Sequence, residues 1–530
     1  MLAVFLVVAV LVHAVAAAED FGPCYRECVP GETRVCKFKF HEEIYNALNS
    51  ACGRCADGEV ADCFARACVP LDGVERTVYT INRKLPGPAL HVCAGDTVIV
   101  DLQVRLPGHA DTIHWHGLHQ RDTPHMDGVS MVTQCPIPSG QTFRYQFVVD
   151  LPGTYFYHPH NGIHKVNGAV GVLVGRAPRA LDPHADLYDE DLAEHAVFLM
   201  DWMHVDAEYV FPGLHKPLGQ TPVTVLINGQ GDFQQADGNW TKTPLAEFRV
   251  RRGLRYRFRV INSGGLSCPL TFRVYGHKLT IIASDSRDVQ PLEVDTLYTF
   301  SGERYDVVVT ADQDGDAFWV HSYAATCSAP AEQVAVLRYD SAADGTLPAA
   351  PRPSARPGLL QPEGVVMNSP ACTGGWPGQR CATDLQSLEA PDDPRMLGTA
   401  EPDDRVVQEV VFHGYTNEEL FDTEYYPHFL TFGRNIAGTI GNVSFKMPST
   451  PLLTQPGESP TCGGCAPGES FCVCTHVLPV RLGTRYEIVL VDATDVTGRV
   501  DSMITHPMHI HGYSFLVLAL GTLANITSGR

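Results

Sequence analysis

Three stretches of the chain repeat one pattern. Gly95 is followed by Val98, Val100 and Leu102; Gly253 by Tyr256, Phe258 and Val260; Gly483 by Tyr486, Ile488 and Leu490. Successive side chains of an extended backbone point to opposite faces, so apolar residues at every second position describe a strand with one buried face. One unit written three times implies three like domains. The length of 530 residues agrees, being more than one core sustains. With 47 glycines and 38 prolines among short alternating runs, the chain reads as all-β. The expected layout is a first domain over 71–180, a second over 185–340 and a third over 405–530. Residues 341–404, rich in Pro, Ala and Gly, read as a linker.

The three copies differ in histidine. About twenty residues after its lead glycine the first carries His114-Trp115-His116, and the third carries His506-Pro507-Met508-His509-Ile510-His511. The second carries Thr271 to His277 at that offset and no pair, so it reads as a metal-free spacer in which His277 is a surface or structural residue. A further pair, His158-Pro159-His160, follows in the first domain. Residues i and i+2 of a strand face one way, so each pair offers two neutral nitrogens to one ion or to two adjacent ions. His509 and His511 are expected on one face of a strand that runs on through the apolar stretch Tyr513 to Leu520. One such pair alone is more often coincidence than coordination, but three in one chain point to a cluster of metals.

These motifs resemble those of the multicopper oxidases, and within them the insect-type laccases. The resemblance rests on His114-Trp115-His116-Gly117-Leu118-His119-Gln120-Arg121, Met126-Asp127-Gly128-Val129, Gln134-Cys135-Pro136-Ile137, Gly153-Thr154-Tyr155-Phe156-Tyr157-His158-Pro159-His160, Leu226-Ile227-Asn228-Gly229 and His506 to Gly512. It implies three cupredoxin-like Greek-key β-sandwich domains, the third incomplete at its C-terminus. The family's fourth motif, a His-Cys-His run, is expected after the third and is absent before Arg530. That makes an incomplete gene product the expectation, active as an oxidase only in a longer form.

The resemblance also implies four copper ions, one in a blue centre that takes single electrons and three in a cluster that reduces dioxygen to water. Position by position, His506 would serve the blue centre, and His114 and His509 the mononuclear copper of the cluster. His116 and His158 would serve one ion of the coupled pair, with His160 and His511 serving the other. Asp127 stands where the family places a carboxylate that supplies protons; Asp127-Gly128 is equally a common turn pair. The partners implied are dioxygen and a small phenolic reductant such as a diphenol or catechol. Relatives carry an acid just before Leu-Ile-Asn-Gly, and here Pro222-Val223-Thr224 supplies none, while Asp232 follows. A ferrous or cuprous oxidase of the same fold, with acidic residues beside His506, and a non-catalytic copper-binding protein are the alternatives. His204 reads as structural.

The compartment follows from other features. Met1 to Ala18 reads as a secretory signal peptide rather than a span. Residues 19–70 form a cysteine-rich leader, and Asn239, Asn442 and Asn525 head glycosylation sequons. The 17 cysteines suit an exported chain in which disulfides persist. On that ground Cys52-x-x-Cys55, and Cys462, Cys465, Cys472 and Cys474 in the loop 455–474, read as staples rather than zinc ligands. The odd count leaves one thiol free or paired beyond Arg530. A formal net charge of -21 argues against nucleic acid or an anionic membrane surface as partner.

Overall fold

The computed structural model describes residues 22–521, apart from 211–220, 267, 326, 328–330, 355–363, 371, 373–377, 392, 398–400, 416–434 and 493–505. The expected signal peptide and the sequon at Asn525 lie outside the described residues.

The first unit is a sandwich of two four-stranded sheets. Its strands are β1 (Val35–Asn46), β2 (Thr77–Ile81), β3 (Leu90–Cys93), β4 (Thr97–Arg105), β5 (Ile113–His116), β6 (Thr142–Val148), β7 (Gly153–Pro159) and β8 (Gly171–Arg176). One sheet runs β2-β1-β4-β6 and the other β3-β8-β7-β5. Val98, Val100 and Leu102 of β4 are fully buried, as the alternation requires, against Phe40, Trp115, Tyr145 and Tyr157. Each large apolar side chain buried there contributes about 1.5–3 kcal/mol.

The leader is more than a stapled extension. β1 lies within it and pairs in parallel with β4 from Val35 opposite Thr97 to Glu43 opposite Arg105. Its cysteines form Cys24–Cys36, Cys52–Cys68 and Cys55–Cys63, and Cys28–Cys93 ties it to β3. Cys462–Cys474 and Cys465–Cys472 brace the later loop. Cys135 is the one free cysteine among the described residues.

The second unit packs a six-stranded sheet on a seven-stranded one. The former contains β9 (Ala196–Trp202), β10 (Thr224–Ile227), β11 (Arg255–Asn262) and β12 (Arg304–Thr310). Tyr256, Phe258 and Val260 of β11 enter the unit's core, as expected, but the opposite face is buried too. There Ile261 joins Phe198, Met200 and Trp202 against Phe156, Val172 and Val174 of the first unit. The polar part of this seam is held by Thr154, whose Oγ1 donates to Asp306 at 2.6 Å and accepts from Arg259 at 2.8 Å. The stretch 341–404 is not only a linker: β13 (Val366–Met367) and β14 (Gln379–Arg380) pair in parallel and extend the seven-stranded sheet, and a Cys372–Cys381 bond lies beside them.

The third unit shows a six-stranded sheet in which β15 (Asp404–Tyr415) pairs in parallel with β16 (Tyr486–Asp492). Here the alternation of the third repeat does not end in burial. Ile488 is 52% and Leu490 40% exposed, because among the described residues no second sheet covers this face. The expected strand over Tyr513–Leu520 is also not formed: the stretch is irregular and its apolar side chains are exposed. Strand propensity is realised only through a paired neighbour, and this segment has no ladder partner among the described residues.

Candidate metal centre

The two strands β5 and β7 run antiparallel, with His114 opposite His158 and His116 opposite Phe156. Period-two alternation sorts their side chains. Ile113, Trp115, Tyr155 and Tyr157 enter the first core, which leaves His114, His116, Phe156 and His158 on the other face, toward the second unit. His160 follows directly, held by a bond from its backbone N–H to the carbonyl of Thr112 at 2.9 Å.

The segment from His506 to Gly512 meets this face from the far end of the chain. The His511 ring lies 4.0 Å from that of His114 and 5.2 Å from that of His160, centroid to centroid. The His509 ring stacks on His116 at 4.0 Å. One ligand nitrogen from each of His114, His509 and His511 falls within 4.8 Å of the others, and the same holds for His114, His116 and His158. His116 Nδ1 and His158 Nε2 are 3.3 Å apart, about the separation that two nitrogens bonded at ~2 Å to one ion subtend. The structure thus brings together six of the seven histidines singled out in the sequence.

Their hydrogen bonds select the tautomers. His114 donates from Nδ1–H to the Asp127 carbonyl at 2.8 Å, and its buried Nε2 has no hydrogen-bond partner. His158 donates from Nδ1–H to the Pro159 carbonyl at 2.8 Å, and His511 from Nδ1–H to Asp127 Oδ2 at 2.7 Å. The Nε2 lone pairs of His114 and His511 are left for another partner, while that of His158 faces His116 Nδ1. Burial, followed by repulsion from neighbouring rings, pushes His160 and His509 down to about 3. Burial drives His116 and His158 well below the usual histidine value, with His509 and Lys165 respectively as the next causes. These four rings are therefore neutral, the form that binds metal.

Asp127 occupies a turn and also touches the rings. It ends a short 3-10 turn, and Gly128 follows at φ +81°. Burial opposes its ionisation, but hydrogen bonds from His114 and His511 outweigh this and hold its carboxyl below the usual carboxylate range.

His506 lines a cleft of about 210 Å³ with Leu266, Pro269, Phe300 and Ser301 of the second unit. Cys268 also lines it, but its sulfur is bonded to Cys327 and is no thiolate. Among the described residues that line the cleft, none is a carboxylate.

The second unit, expected as a spacer, supplies the wall of the site. A Cβ at Gly302 would stand 2.9 Å from His116 Cε1. Arg304 donates to the carbonyls of Thr154 at 3.0 Å and Gly302 at 3.0 Å, and leaves Gly117 no room for a side chain. Nothing in a linear sequence marks such cross-domain contacts. His277 is a buried structural residue, 2.8 Å from the Tyr339 hydroxyl, and His204 is tied to Asp72 at 2.6 Å. Asp232 is engaged by Arg352 through two bonds of 2.7 Å.

Buried lone pairs aimed at one another cost free energy unless a cation fills the space between them. Copper suits a set of imidazoles, so the six rings fit a copper cluster. A blue centre also needs a thiolate, which the described lining of the His506 cleft does not offer.

Comparison with known proteins agrees with this donor set. Models of the multicopper oxidases match residues 64–179, 193–342 and 442–528. A laccase of Pycnoporus cinnabarinus is 31% identical over 480 residues, covering 88% of this chain and 80% of that one. Laccase-2 of Thanatephorus cucumeris is 36% identical over 266 residues, 49% of this chain and only 44% of the relative. Among solved structures, the laccase from Botrytis aclada superposes with a TM-score of 0.56 at 26% identity, covering 79% of this chain and 66% of that one. Fet3p, a multicopper oxidase that functions in iron import, shares the fold with a TM-score of 0.56 at 22% identity, over 80% of this chain and 66% of its own. The family uses copper, in a blue centre and a three-copper cluster. Matched in each of its three β units, and alike to a laccase over 80% of the latter's length, the chain belongs to the multicopper oxidase family.

Proposed function

We propose that the chain acts as a laccase-type oxidase, coupling one-electron oxidation of a small phenolic reductant, a diphenol or catechol, to reduction of dioxygen to water. The observation that carries this reading is the meeting of His114, His116, His158 and His160 with His509 and His511 at the seam between the first and third units. Bound copper supplies the redox relay. The protein's part is to hold imidazoles in fixed tautomers at a seam that the second unit walls on one side. We assign His114 and His509 to one ion, His116 and His158 to a second, and His160 and His511 to a third. His506, in the cleft beside the second unit, is the blue-centre ligand and faces the reductant. Asp127 orients His114 and His511 and passes protons toward the cluster. An organic reductant is favoured over a metal ion because the described lining of the His506 cleft carries no carboxylate. Among the described residues no helix is long and apolar enough to cross a membrane. With exposed sequons at Asn239 and Asn442, this supports an extracellular setting. Oxygen uptake by the copper-loaded protein tests the reading. Four catechols should be oxidised to the radical per dioxygen without peroxide release, and faster than ferrous iron. Copper-loaded protein that consumes no oxygen would leave a copper-binding role in its place.

A further inference from the structure

A second group of ligand-type side chains uses none of the seven histidines above. His109 precedes β5, His164 opens the short helix α1 (His164–Asn167), and Glu208 sits on α2 (Ala207–Val210). Glu208 Oε1 is 3.3 Å from His164 Nε2 and 3.7 Å from His109 Nδ1, and the three ligand atoms lie within 4.8 Å of one another. α1 and α2 are packed together by Ile163 and Val166 against Met203, Ala207 and Val210, so the geometry is preformed.

The second observation is the bond behind the site. His164 Nδ1–H donates to the buried carboxylate of Asp111, a short contact, which places the Nε2 lone pair toward Glu208. A carboxylate that orients one ring nitrogen while the other faces outward is the arrangement found behind metal-bound histidines. With Nδ1–H on Asp111, His164 Nε2 and Glu208 Oε1 face each other as acceptors at 3.3 Å, an arrangement that a cation relieves, and the Tyr79 hydroxyl donates to the same Glu208 oxygen at 3.3 Å. Burial, the largest influence on His164, works against a second proton on its ring. Asp111 and Glu42 are buried close behind, and burial raises both carboxyls well above the usual carboxylate range. His109 and Glu208 are each about one third exposed, at 34% and 35%, so an ion reaches the site from solvent and keeps room for water.

We propose that His109, His164 and Glu208 form a zinc-class divalent-cation site, with Asp111 orienting His164, which clips the first unit to the second. Two imidazoles and one carboxylate are the donor set of such borderline ions. The site is independent of the oxidase reading, since it shares no ligand with the copper cluster.

The test uses the full chain with its copper sites already filled. Titration with Co2+ should give one equivalent of a visible tetrahedral band that Zn2+ displaces. His109→Ala and Glu208→Gln, both at partly exposed positions, should each weaken zinc binding at least tenfold while copper content and oxygen uptake stay unchanged. Zinc should raise the thermal midpoint of the parent protein and not of the variants. No equivalent beyond copper, or affinity unaltered in both variants, overturns the proposal.

Discussion

The ring of His114 uses its two nitrogens differently: Nδ1–H rests on the Asp127 carbonyl, and Nε2 meets no protein acceptor or donor. Asp127 also anchors His511, so one residue fixes rings contributed by opposite ends of the chain. Replacing it by Asn keeps the shape but loses the charge-assisted bond. Asp127→Asn should lower copper affinity or turnover by about 10–100-fold, read by chelator competition and oxygen uptake. Glu303 gives a separate prediction about stability. Burial, then the nearby Asp285, raises its carboxyl to about 8, although Phe300 N–H and Asn368 donate to it. Below the ordinary carboxylate value both folded and unfolded chains hold this proton. Above it the unfolded chain releases the proton first, so stability falls at up to ~1.4 kcal/mol per pH unit until the folded group ionises as well. Glu303→Gln should remove that slope between about pH 5 and 8, read as the pH dependence of the thermal midpoint. Asp127-Gly128 reads in the sequence as a turn and as a functional carboxylate alike, and the structure puts Asp127 at the end of a turn and in contact with two of the rings; nothing near Glu303 in the chain marks it as buried.

Strand alternation accounts for most of what the sequence did reveal. The same period that buries Trp115 and Tyr157 in the first core turns His114, His116 and His158 to the other side, and the antiparallel register of β5 and β7 sets His114 beside His158. It could not say what covers that other side. Arg257 and Arg259 of β11 are polar by sequence yet buried at the seam, because Asp306 and Asp191 neutralise them. Alternation also misled in the third unit, where Ile488 and Leu490 remain exposed. His109, His164 and Glu208 lie too far apart in sequence to form a motif and meet only through the packing of α1 on α2. The turn after Asp127 is where an element can be tested. A Cβ at Gly128 would stand 1.8 Å from the Ile113 carbonyl oxygen, on backbone that cannot swing away. Gly128→Ala should cost more than the ~1–2 kcal/mol of a left-handed alanine. Because Ile113 leads directly into His114, copper content should fall along with the thermal midpoint.

At the scale of the molecule, the centre joins the two ends of the chain, while the first and second units are already bound by Phe156, Phe198 and Trp202. Metal that binds only the assembled seam adds its binding free energy to the native state, about 2.7–4.1 kcal/mol at 100 to 1,000 times Kd. Chelation should therefore lower the melting temperature of the third unit more than that of the first two, seen by calorimetry as a single transition splitting into two. The Cys28–Cys93 bond works at the other end, holding the leader strand β1 against its sheet. The ligand order along the chain also sets a timetable for biosynthesis. During translation the first half of the centre, through His160, emerges early, but its complement at His509 leaves the ribosome roughly 350 residues later, some 20–70 s at ordinary elongation rates. Throughout that interval the four imidazoles of the first unit lack their partners from His509 and His511, so faithful copper delivery has to wait for the segment that carries those two rings.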